Sequence, residues 1–300
     1  MSKQRKRMGA VCVAMLAALL TVFGLAGNAS AKLTGEFVRF QHCPYKNPEA
    51  TRCVHAVTEG GEAILGSKKV PIVNPVTLQG GYNDPLEEGE FSDFFPATNG
   101  VTLSKAPQPV PGGLLGLVPP ASSPPLIKAL VELAAENGLT GVNSTLELAG
   151  SSNDVEINEL NLALGEGVTL RMKLKARLEN PLLGNECYVG SSSNPLLWEL
   201  RADTTNPPPP NKPITGNGGT VTFLEKAQVL RLDDAVLVDN AWSAPAAKGC
   251  GGILLAPLID PVINVAAGLP SAAGKNTAIL ENTIHTTTTF ALNKNDAENP

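Results

Sequence analysis

Residues 168–179 alternate between apolar and polar side chains for twelve residues without a break. Successive side chains of a β-strand point to opposite faces, so this pattern predicts a long strand with one buried and one exposed face. A helix would spread the same apolar residues around its circumference. Most outward positions of the strand are cationic, namely Arg171, Lys173, Lys175 and Arg177. The strand is therefore the firmest indication of β structure in the chain.

Short segments rich in Thr, Val and Leu recur along the rest of the chain between turn residues, with 29 glycines and 25 prolines in all. Many short strands between such turns are typical of all-β proteins. We therefore predict a mainly β fold, with antiparallel sheets in a sandwich or a barrel-like arrangement. Two short helices are expected, at 124–136 and 258–268, because each has proline in its first turn and glycine after its end. Asp260 is the expected cap of the second helix.

Residues 1–31 have the organisation of an export signal peptide. Four cations precede an apolar run over 11–25, and Ala29-Ser30-Ala31 supplies the small residues that signal peptidase requires. We predict cleavage after Ala31 and a secreted, extracellular mature chain. The apolar run is short for a membrane span of about 20 residues, and no later segment approaches that length. The mature chain is therefore expected to have no transmembrane span.

The mature chain divides by composition into three parts. Residues 32–140 are expected to form an N-terminal β region with an irregular Pro/Gly-rich segment and one helix, and residues 141–292 a larger β domain with one short helix. A hairpin is expected over 155–179, with a strand over 155–164 that slips register near Glu159. Residues 293–300 are polar and are expected to be a disordered tail.

Four cysteines remain after residue 31, namely Cys43, Cys53, Cys187 and Cys250. An even number in an exported chain indicates two disulfides, for which three pairings exist. We expect Cys43–Cys53 and Cys187–Cys250, because the first pair is close in sequence. His42 and His55 lie next to the first pair and suggest a Cys₂His₂ metal site as the alternative. Export favours the oxidised form and the spacing is not that of a zinc site, so no metal is predicted.

Removal of the signal peptide takes the net charge from −5 to −9, because four cations leave with it. Nucleic-acid binding depends on basic residues that neutralise phosphates, so an acidic exported chain is not expected to bind nucleic acid. The partner is left open. An envelope glycan or a lipid is the class of partner that an exported location favours.

The motifs of common enzyme classes are absent from the sequence. There is no Gly-x-Ser-x-Gly elbow, Ser191-Ser192-Ser193 has no base nearby in sequence, and His285 lies in a Thr-rich strand. A glycan-active hydrolase needs only two carboxylates, and two acidic clusters are candidates: Glu87, Glu88, Glu90 and Asp93, and Asp233, Asp234 and Asp239. Solvated loops and strand ends explain both clusters as well. We therefore predict that the chain is not an enzyme and has no cofactor.

The cationic stripe on residues 171–177 has two interpretations. It is a possible anion-binding surface for acidic glycans or lipid headgroups, or it keeps a half-exposed sheet soluble and discourages edge pairing. The apolar segments 114–118 and 253–265 similarly fit either core packing or the mouth of a pocket for a hydrophobic ligand.

Three stretches of the chain resemble a known group of proteins. They are VPIVNPVTLQGG at 70–81, residues 174–195, and GLPSAAGKNTAIL at 268–280. Together they are similar to uncharacterised exported proteins of actinobacterial type, and the resemblance covers most of the mature chain. It implies an extracellular location and implies no catalytic residues or activity.

These observations predict an exported, non-catalytic binding or structural protein of the cell envelope or extracellular space. The first alternative is a carrier of a hydrophobic ligand, which predicts a closed apolar cavity of several hundred cubic ångströms lined by the two helices. The second is a glycan-active hydrolase, which predicts two carboxylates that converge in a cleft.

Overall fold

The structure is a computed structural model that describes residues 32–85, 90–151, 154–225 and 228–299. The predicted signal peptide at 1–31 lies outside these residues, as do Glu87 and Glu88 of the first acidic cluster. The described chain is mainly β, as the alternating pattern predicts.

The strands, in chain order, are β1 (Arg52–Leu65), β2 (Lys68–Pro71), β3 (Val76–Tyr82), β4 (Ser92–Pro96), β5 (Gln108–Pro109), β6 (Asn143–Leu148), β7 (Val155–Ile157), β8 (Val168–Glu179), β9 (Tyr188–Val189), β10 (Leu196–Arg201), β11 (Thr220–Leu224), β12 (Val229–Asp239), β13 (Ala247–Lys248) and β14 (Thr277–Thr288). The α-helices are α1 (Gly113–Leu117), α2 (Pro125–Glu136), α3 (Glu159–Leu164), α4 (Gly252–Ala267) and α5 (Thr289–Glu298). Two short 3₁₀ helices lie at Gly35–Phe40 and Pro120–Ser122.

Eight strands close into an antiparallel barrel in the order β8, β10, β12, β14, β1, β3, β4 and β7. The ring closes at β8, which pairs through both edges: Met172 lies opposite Trp198 of β10 on one side and Val155 of β7 on the other. Further along β8, Ala176 pairs with β6 and β9, which extend the wall beyond the ring. The predicted barrel-like antiparallel architecture is confirmed.

The inward face of β8 is the apolar face of the sequence pattern. Leu170, Met172 and Leu174 line the barrel lumen, while Lys173 between them points outward. The other strands of the ring contribute alternate residues in the same way, such as Ala56 of β1 and Ile284 of β14. The period of two in the sequence therefore defines the wall of the lumen.

The predicted strand over 155–164 is wrong beyond Ile157. The chain leaves β7 and forms α3, because the Asn158 side chain accepts a hydrogen bond from the backbone N–H of Asn161 and so caps the helix start. Gly165 ends the helix in the left-handed conformation, with φ of 70°. The register slip near Glu159 thus marks a change from strand to helix and not a bulge.

The helix predicted at 124–136 is confirmed as α2, whereas the helix predicted at 258–268 begins earlier, at Gly252. Asp260 is not its cap. The Asp260 carboxylate instead accepts hydrogen bonds from the backbone N–H groups of Gly249 and Cys250, which precede the helix. Pro257 and Pro261 lie inside α4, so proline does not mark its start.

The disordered tail predicted over 293–300 is also wrong through Glu298, because these residues belong to α5. The Thr288 side chain caps α5 by accepting from the N–H of Ala291. Leu292 is fully buried in a small core with Phe37, Phe40 and the Cys43–Cys53 disulfide. Apolar contact with the N-terminal segment therefore orders a sequence that is polar on average.

Strands from both predicted regions, 32–140 and 141–292, share the one ring. The two disulfides are the expected pairs. Cys43–Cys53 joins the segment after the first 3₁₀ helix to β1, and Cys187–Cys250 joins the segment before β9 to the start of α4. Within the described residues, no helix is both long and apolar enough to cross a bilayer.

Candidate functional site

Two apolar cavities lie inside the barrel. The first, called the outer cavity, has a volume of about 70 Å³ and lies near the β1–β2 turn, and the second, called the inner cavity, has a volume of about 50 Å³. Ile72, Leu146 and Trp198 line both, so the two cavities adjoin each other. The lumen is thus a discontinuous apolar space along the barrel, divided by three side chains.

These volumes limit what the lumen can hold. Pockets for drug-sized ligands measure about 300–1,000 Å³. The cavity of several hundred cubic ångströms expected for a hydrophobic-ligand carrier is therefore not found in the described chain, and the two smaller cavities fit a slender chain and not a bulky molecule. Of the two predicted helices, α2 contributes no lining residue to either cavity, whereas α4 contributes Ile263 and Ala267. The helix α1, which the sequence did not predict, contributes Leu117.

The polar side chains of the cavity walls are engaged with the protein. Gln108 accepts hydrogen bonds from the N–H groups of Val73 and Asn74 through its side-chain oxygen and donates to the Asn74 carbonyl. Asn282 accepts from the Thr58 hydroxyl and donates to the Ala235 carbonyl. The walls therefore present mainly hydrocarbon, and an apolar cavity of this kind stays dry.

Two indole groups are the exception. Trp198 and Trp242 both line the outer cavity and are 1% and 5% exposed, and neither indole N–H has an acceptor among the described residues. A buried tryptophan N–H usually finds an acceptor. Here both indole nitrogen atoms are buried within the wall, so neither N–H is exposed to the cavity.

Lys68 is the one charged residue among those that line the outer cavity. Its Nζ donates to the Gly116 carbonyl of α1 at 2.8 Å, and it forms no ion pair with any carboxylate in the described chain. Lys69, the next residue, points away from the cavity and pairs with Glu62. Lys68 therefore places a positive charge at the mouth of an apolar space.

The β1–β2 turn is fixed against the C-terminal end of α4. The Ser67 N–H donates to the Ala267 carbonyl at 2.8 Å, and the Ser67 hydroxyl donates to the Ala266 carbonyl at 3.0 Å. Gly66, with φ of 60°, approaches the Ala267 carbonyl so closely that a Cβ at this position would collide with it. The mouth is thus framed by the turn, α1 and α4.

Helix α4 buries Ile259, Ile263 and Ala267, while several other apolar side chains of the helix face outward. Asp260 and Asn264 bond to the backbone of the preceding segment. One outer face, called the apolar lip, is made of Ile253, Leu254, Pro257, Leu258, Pro261 and Val265. Ile253 is 96% exposed and Leu254 is 88% exposed. An exposed face without charge is unusual for a helix of a soluble domain.

The far end of the lumen is closed by a polar cluster beneath α3. Arg52 lies between two carboxylates, with its Nε 2.9 Å from Glu159 and 2.7 Å from Asp84. Burial raises the pKa of the Glu159 carboxyl, and the Arg52 charge opposes that shift. The Tyr82 ring is fully buried beside it, and burial raises the pKa of its hydroxyl. This end of the barrel is held by ion pairs, in contrast to the apolar mouth.

The two central histidines, His55 and His285, lie opposite each other on β1 and β14. Arg39 Nη1 lies 2.8 Å from His285 Nε2, and because arginine only donates, that nitrogen is the acceptor. Burial, followed by the nearby Arg39 charge, lowers the pKa of His285 to about 4. His285 therefore has Arg39 as its hydrogen-bond partner. In the serine cluster at 191–193, the hydroxyls of Ser191 and Ser193 lie 3.2 Å from each other.

Every residue of the predicted cationic stripe faces a carboxylate. The pairs are Arg171 with Glu156 at 2.6 Å and Glu199 at 2.9 Å, Lys173 with Asp154 at 3.8 Å, Lys175 with Glu147 at 3.5 Å, and Arg177 with Glu179 at 3.5 Å. An anion would have to compete with these carboxylates. The arrangement favours the interpretation that the stripe keeps the sheet soluble.

The second acidic cluster has local structural partners. Asp233 pairs with Arg231 at 2.8 Å, and the two oxygens of Asp239 accept from the backbone N–H groups of Glu199 and Ala241. Burial raises the pKa of Asp239. In the described part of the chain, no group of three or more His, Cys, Asp or Glu side chains is placed to hold a metal ion.

A search of protein-family models, of curated proteins and of solved structures found no match to the chain. The sequence analysis singled out neither Trp198 nor Lys68, and it did not identify the contact of Trp198 with Trp242. Alternation over 196–200 was the available signal for Trp198. No local signal connects Lys68 to residues more than a hundred positions away.

Proposed function

We propose that the mature chain is an exported, non-catalytic binding protein whose barrel receives the hydrocarbon part of a slender ligand. The observation that carries the proposal is the pair of adjoining apolar cavities inside a closed barrel, with a mouth framed by α1, α4 and the β1–β2 turn. The apolar lip next to the mouth offers a surface along which such a ligand enters.

The stability lost to the two unfilled cavities distinguishes a binding role from a purely structural one. Unfilled core volume costs roughly 24 cal/mol per Å³, so the two cavities together forgo about 3 kcal/mol of packing. Larger side chains at small lining residues such as Ala63 and Ala176 would recover part of it. In a purely structural protein this loss of stability would serve no purpose. In a binding protein the stability is regained when the ligand fills the cavities.

Secretion is the location that we propose. Residues 1–31 have the pattern of an export signal, and the chain carries two buried disulfides, which persist in oxidising compartments. The resemblance to exported actinobacterial proteins agrees with this location. Partners of the lipid class fit the lumen better than a glycan, whose many hydroxyls would go unpaired on these walls.

The test is native mass spectrometry of the mature protein purified from the medium of an exporting bacterial host. We expect a fraction of the protein to carry a small organic molecule, which organic solvent extracts. Ala176→Leu fills the outer cavity from β8 and should lower that fraction at least several-fold. Lys173→Leu adds the same side chain to the outer face of the same strand and should leave it unchanged. A clean apo mass in every preparation would defeat the proposal.

A further inference from the structure

We infer that the ligand is an anionic single-chain amphiphile whose acid group pairs with Lys68 while its chain occupies the outer and inner cavities. This inference rests on the proposed function and adds the chemical class of the ligand. The observations behind it are the charge at the mouth and the shape of the lumen.

The position of Lys68 is the first argument. An ammonium group has three N–H donors, and one of them is used by the Gly116 carbonyl. That bond holds the side chain across the mouth, between β2 and α1, instead of leaving it free in solvent. The remaining donors have no carboxylate partner in the described chain. A half-buried cation beside hydrocarbon is stabilised most by an anion placed at the same boundary.

The shape of the lumen is the second argument. Along β1, lining residues extend from Leu65 in the outer cavity to Ala56 in the inner cavity, a separation of about 30 Å at roughly 3.3 Å per residue. The cavities along this length have volumes of about 70 and 50 Å³. Neither cavity has room for two chains side by side, so a single-chain molecule, which passes from one cavity to the other when Ile72, Leu146 and Trp198 move apart, fits better than a two-chain lipid.

Two sources share this chemistry, namely a fatty acid and a single-chain phosphate ester. The probes are therefore dodecanoate, dodecyl phosphate and the neutral 1-dodecanol, each below its aggregation concentration. Trp198 and Trp242 are the two tryptophans of the chain and both line the outer cavity, so intrinsic fluorescence reports its occupancy. We expect at least one acid to bind about tenfold or more tightly than the alcohol, and the tighter acid identifies the headgroup.

The matched variants are Lys68→Met and Lys69→Met. Lys68→Met should reduce the preference for acid over alcohol to less than about threefold, because the alcohol does not use the charge. Lys69→Met removes a neighbouring cation that points away and pairs with Glu62, and it should keep the full preference. Lys68→Arg retains the charge and should keep most of the preference, which separates loss of charge from loss of fold.

Chain length provides a second measurement on the wild-type protein. Each methylene that becomes buried should tighten binding about fourfold, so octanoate, decanoate and dodecanoate should form a rising series. Equal binding of acid and alcohol, or an unchanged preference in Lys68→Met, overturns the assignment of Lys68 and leaves the proposed function standing. Failure of every probe, the alcohol included, overturns both.

Discussion

The indole rings of Trp198 and Trp242 lie with their centroids 5.7 Å apart and their planes inclined by 57°. Trp198 comes from the inward face of β10 and Trp242 from the segment after β12, and both line the outer cavity. The Trp242 backbone is held by Asn276, whose side-chain amide donates to the Trp242 carbonyl at 2.8 Å. The tilted contact therefore joins β10 to the segment after β12 at the wall of the outer cavity.

Truncation of this contact should destabilise the barrel strongly. Trp198 is 1% exposed, so Trp198→Ala should lower the free energy of unfolding by about 3–5 kcal/mol, as for other buried aromatic side chains. Leu197, its neighbour on β10, is 41% exposed and points outward, so Leu197→Ala should cost less than about 1 kcal/mol. Urea denaturation followed by far-UV circular dichroism measures both. Similar losses for the two variants would contradict the inward placement of Trp198.

His285 should make the protein less stable in mild acid. Its pKa in the folded state is about 4, below the ordinary value of about 6.5, because of burial and the nearby charges of Arg39 and Arg231. The unfolded chain therefore takes up the proton first as the pH falls. Stability should be fully present above pH 6.5 and should fall by up to about 3 kcal/mol as the pH drops to 4.

The matched variant for this effect is His285→Gln, whose side-chain oxygen can replace Nε2 as the acceptor for Arg39 and which cannot titrate. Denaturant midpoints measured from pH 7 to pH 4 should fall less steeply for the variant than for the wild type. His55 and Glu36, which also face His285, are present in both proteins, so the difference isolates residue 285. Parallel curves would show that His285 is not held neutral by the fold.

How far the sequence predicts the fold depends on the range of the interaction concerned. The apolar face of β8 is predicted because the period of two is a property of twelve consecutive residues. The capping of α3 by Asn158 is equally local, yet the helix has six residues, which is too few for a helical period to stand out. The order of α5 was missed for a different reason, since Leu292 is buried by Phe37 and Phe40 from the other end of the chain.

The candidate site is mostly beyond the reach of sequence patterns. Lys68, Trp198 and Trp242 meet because the ring of strands closes, and their separations in sequence carry no period or motif. The cationic stripe is the opposite case. Its residues are conspicuous in sequence, but their carboxylate partners, such as Glu147 and Glu199, come from neighbouring strands and neutralise them.

The ion pair at the far end of the barrel should behave as a coupled unit. Arg52→Ala removes the cation beside the buried Glu159 and should cost about 2 kcal/mol, because the carboxylate is left without its main partner. Glu159→Gln should cost less, since Arg52 retains Asp84. In a double-mutant cycle, the free energy of unfolding of the double variant should fall by about 1 kcal/mol less than the sum of the two single losses. Strictly additive losses would mean that the pair is not coupled.

The disulfides should differ in their contributions to stability. Cys187–Cys250 closes a loop with a sequence separation of 63, whereas Cys43–Cys53 closes one of 10. On a model-dependent chain-entropy estimate, the longer loop contributes about 4 kcal/mol and the shorter about 3 kcal/mol. Paired Cys→Ala replacement of Cys187 and Cys250 should therefore lower the denaturant midpoint more than the same replacement of Cys43 and Cys53.

The longer-range disulfide should also affect ligand binding through α4, because Cys250 lies two residues before the start of this helix, whose C-terminal end frames the mouth. Without the bond, the N-terminal end of α4 is still held by the hydrogen bonds from Gly249 and Cys250 to Asp260 and by that from the Gly251 N–H to the Leu183 carbonyl. We expect the Cys187/Cys250 double alanine variant to release a dodecyl probe faster than wild type at a temperature where both are folded, as measured by stopped-flow tryptophan fluorescence. The Cys43/Cys53 variant is the control, since that bond lies in the separate small core with α5. Equal release rates for the two variants would show that the disulfide stabilises the barrel without restraining the mouth.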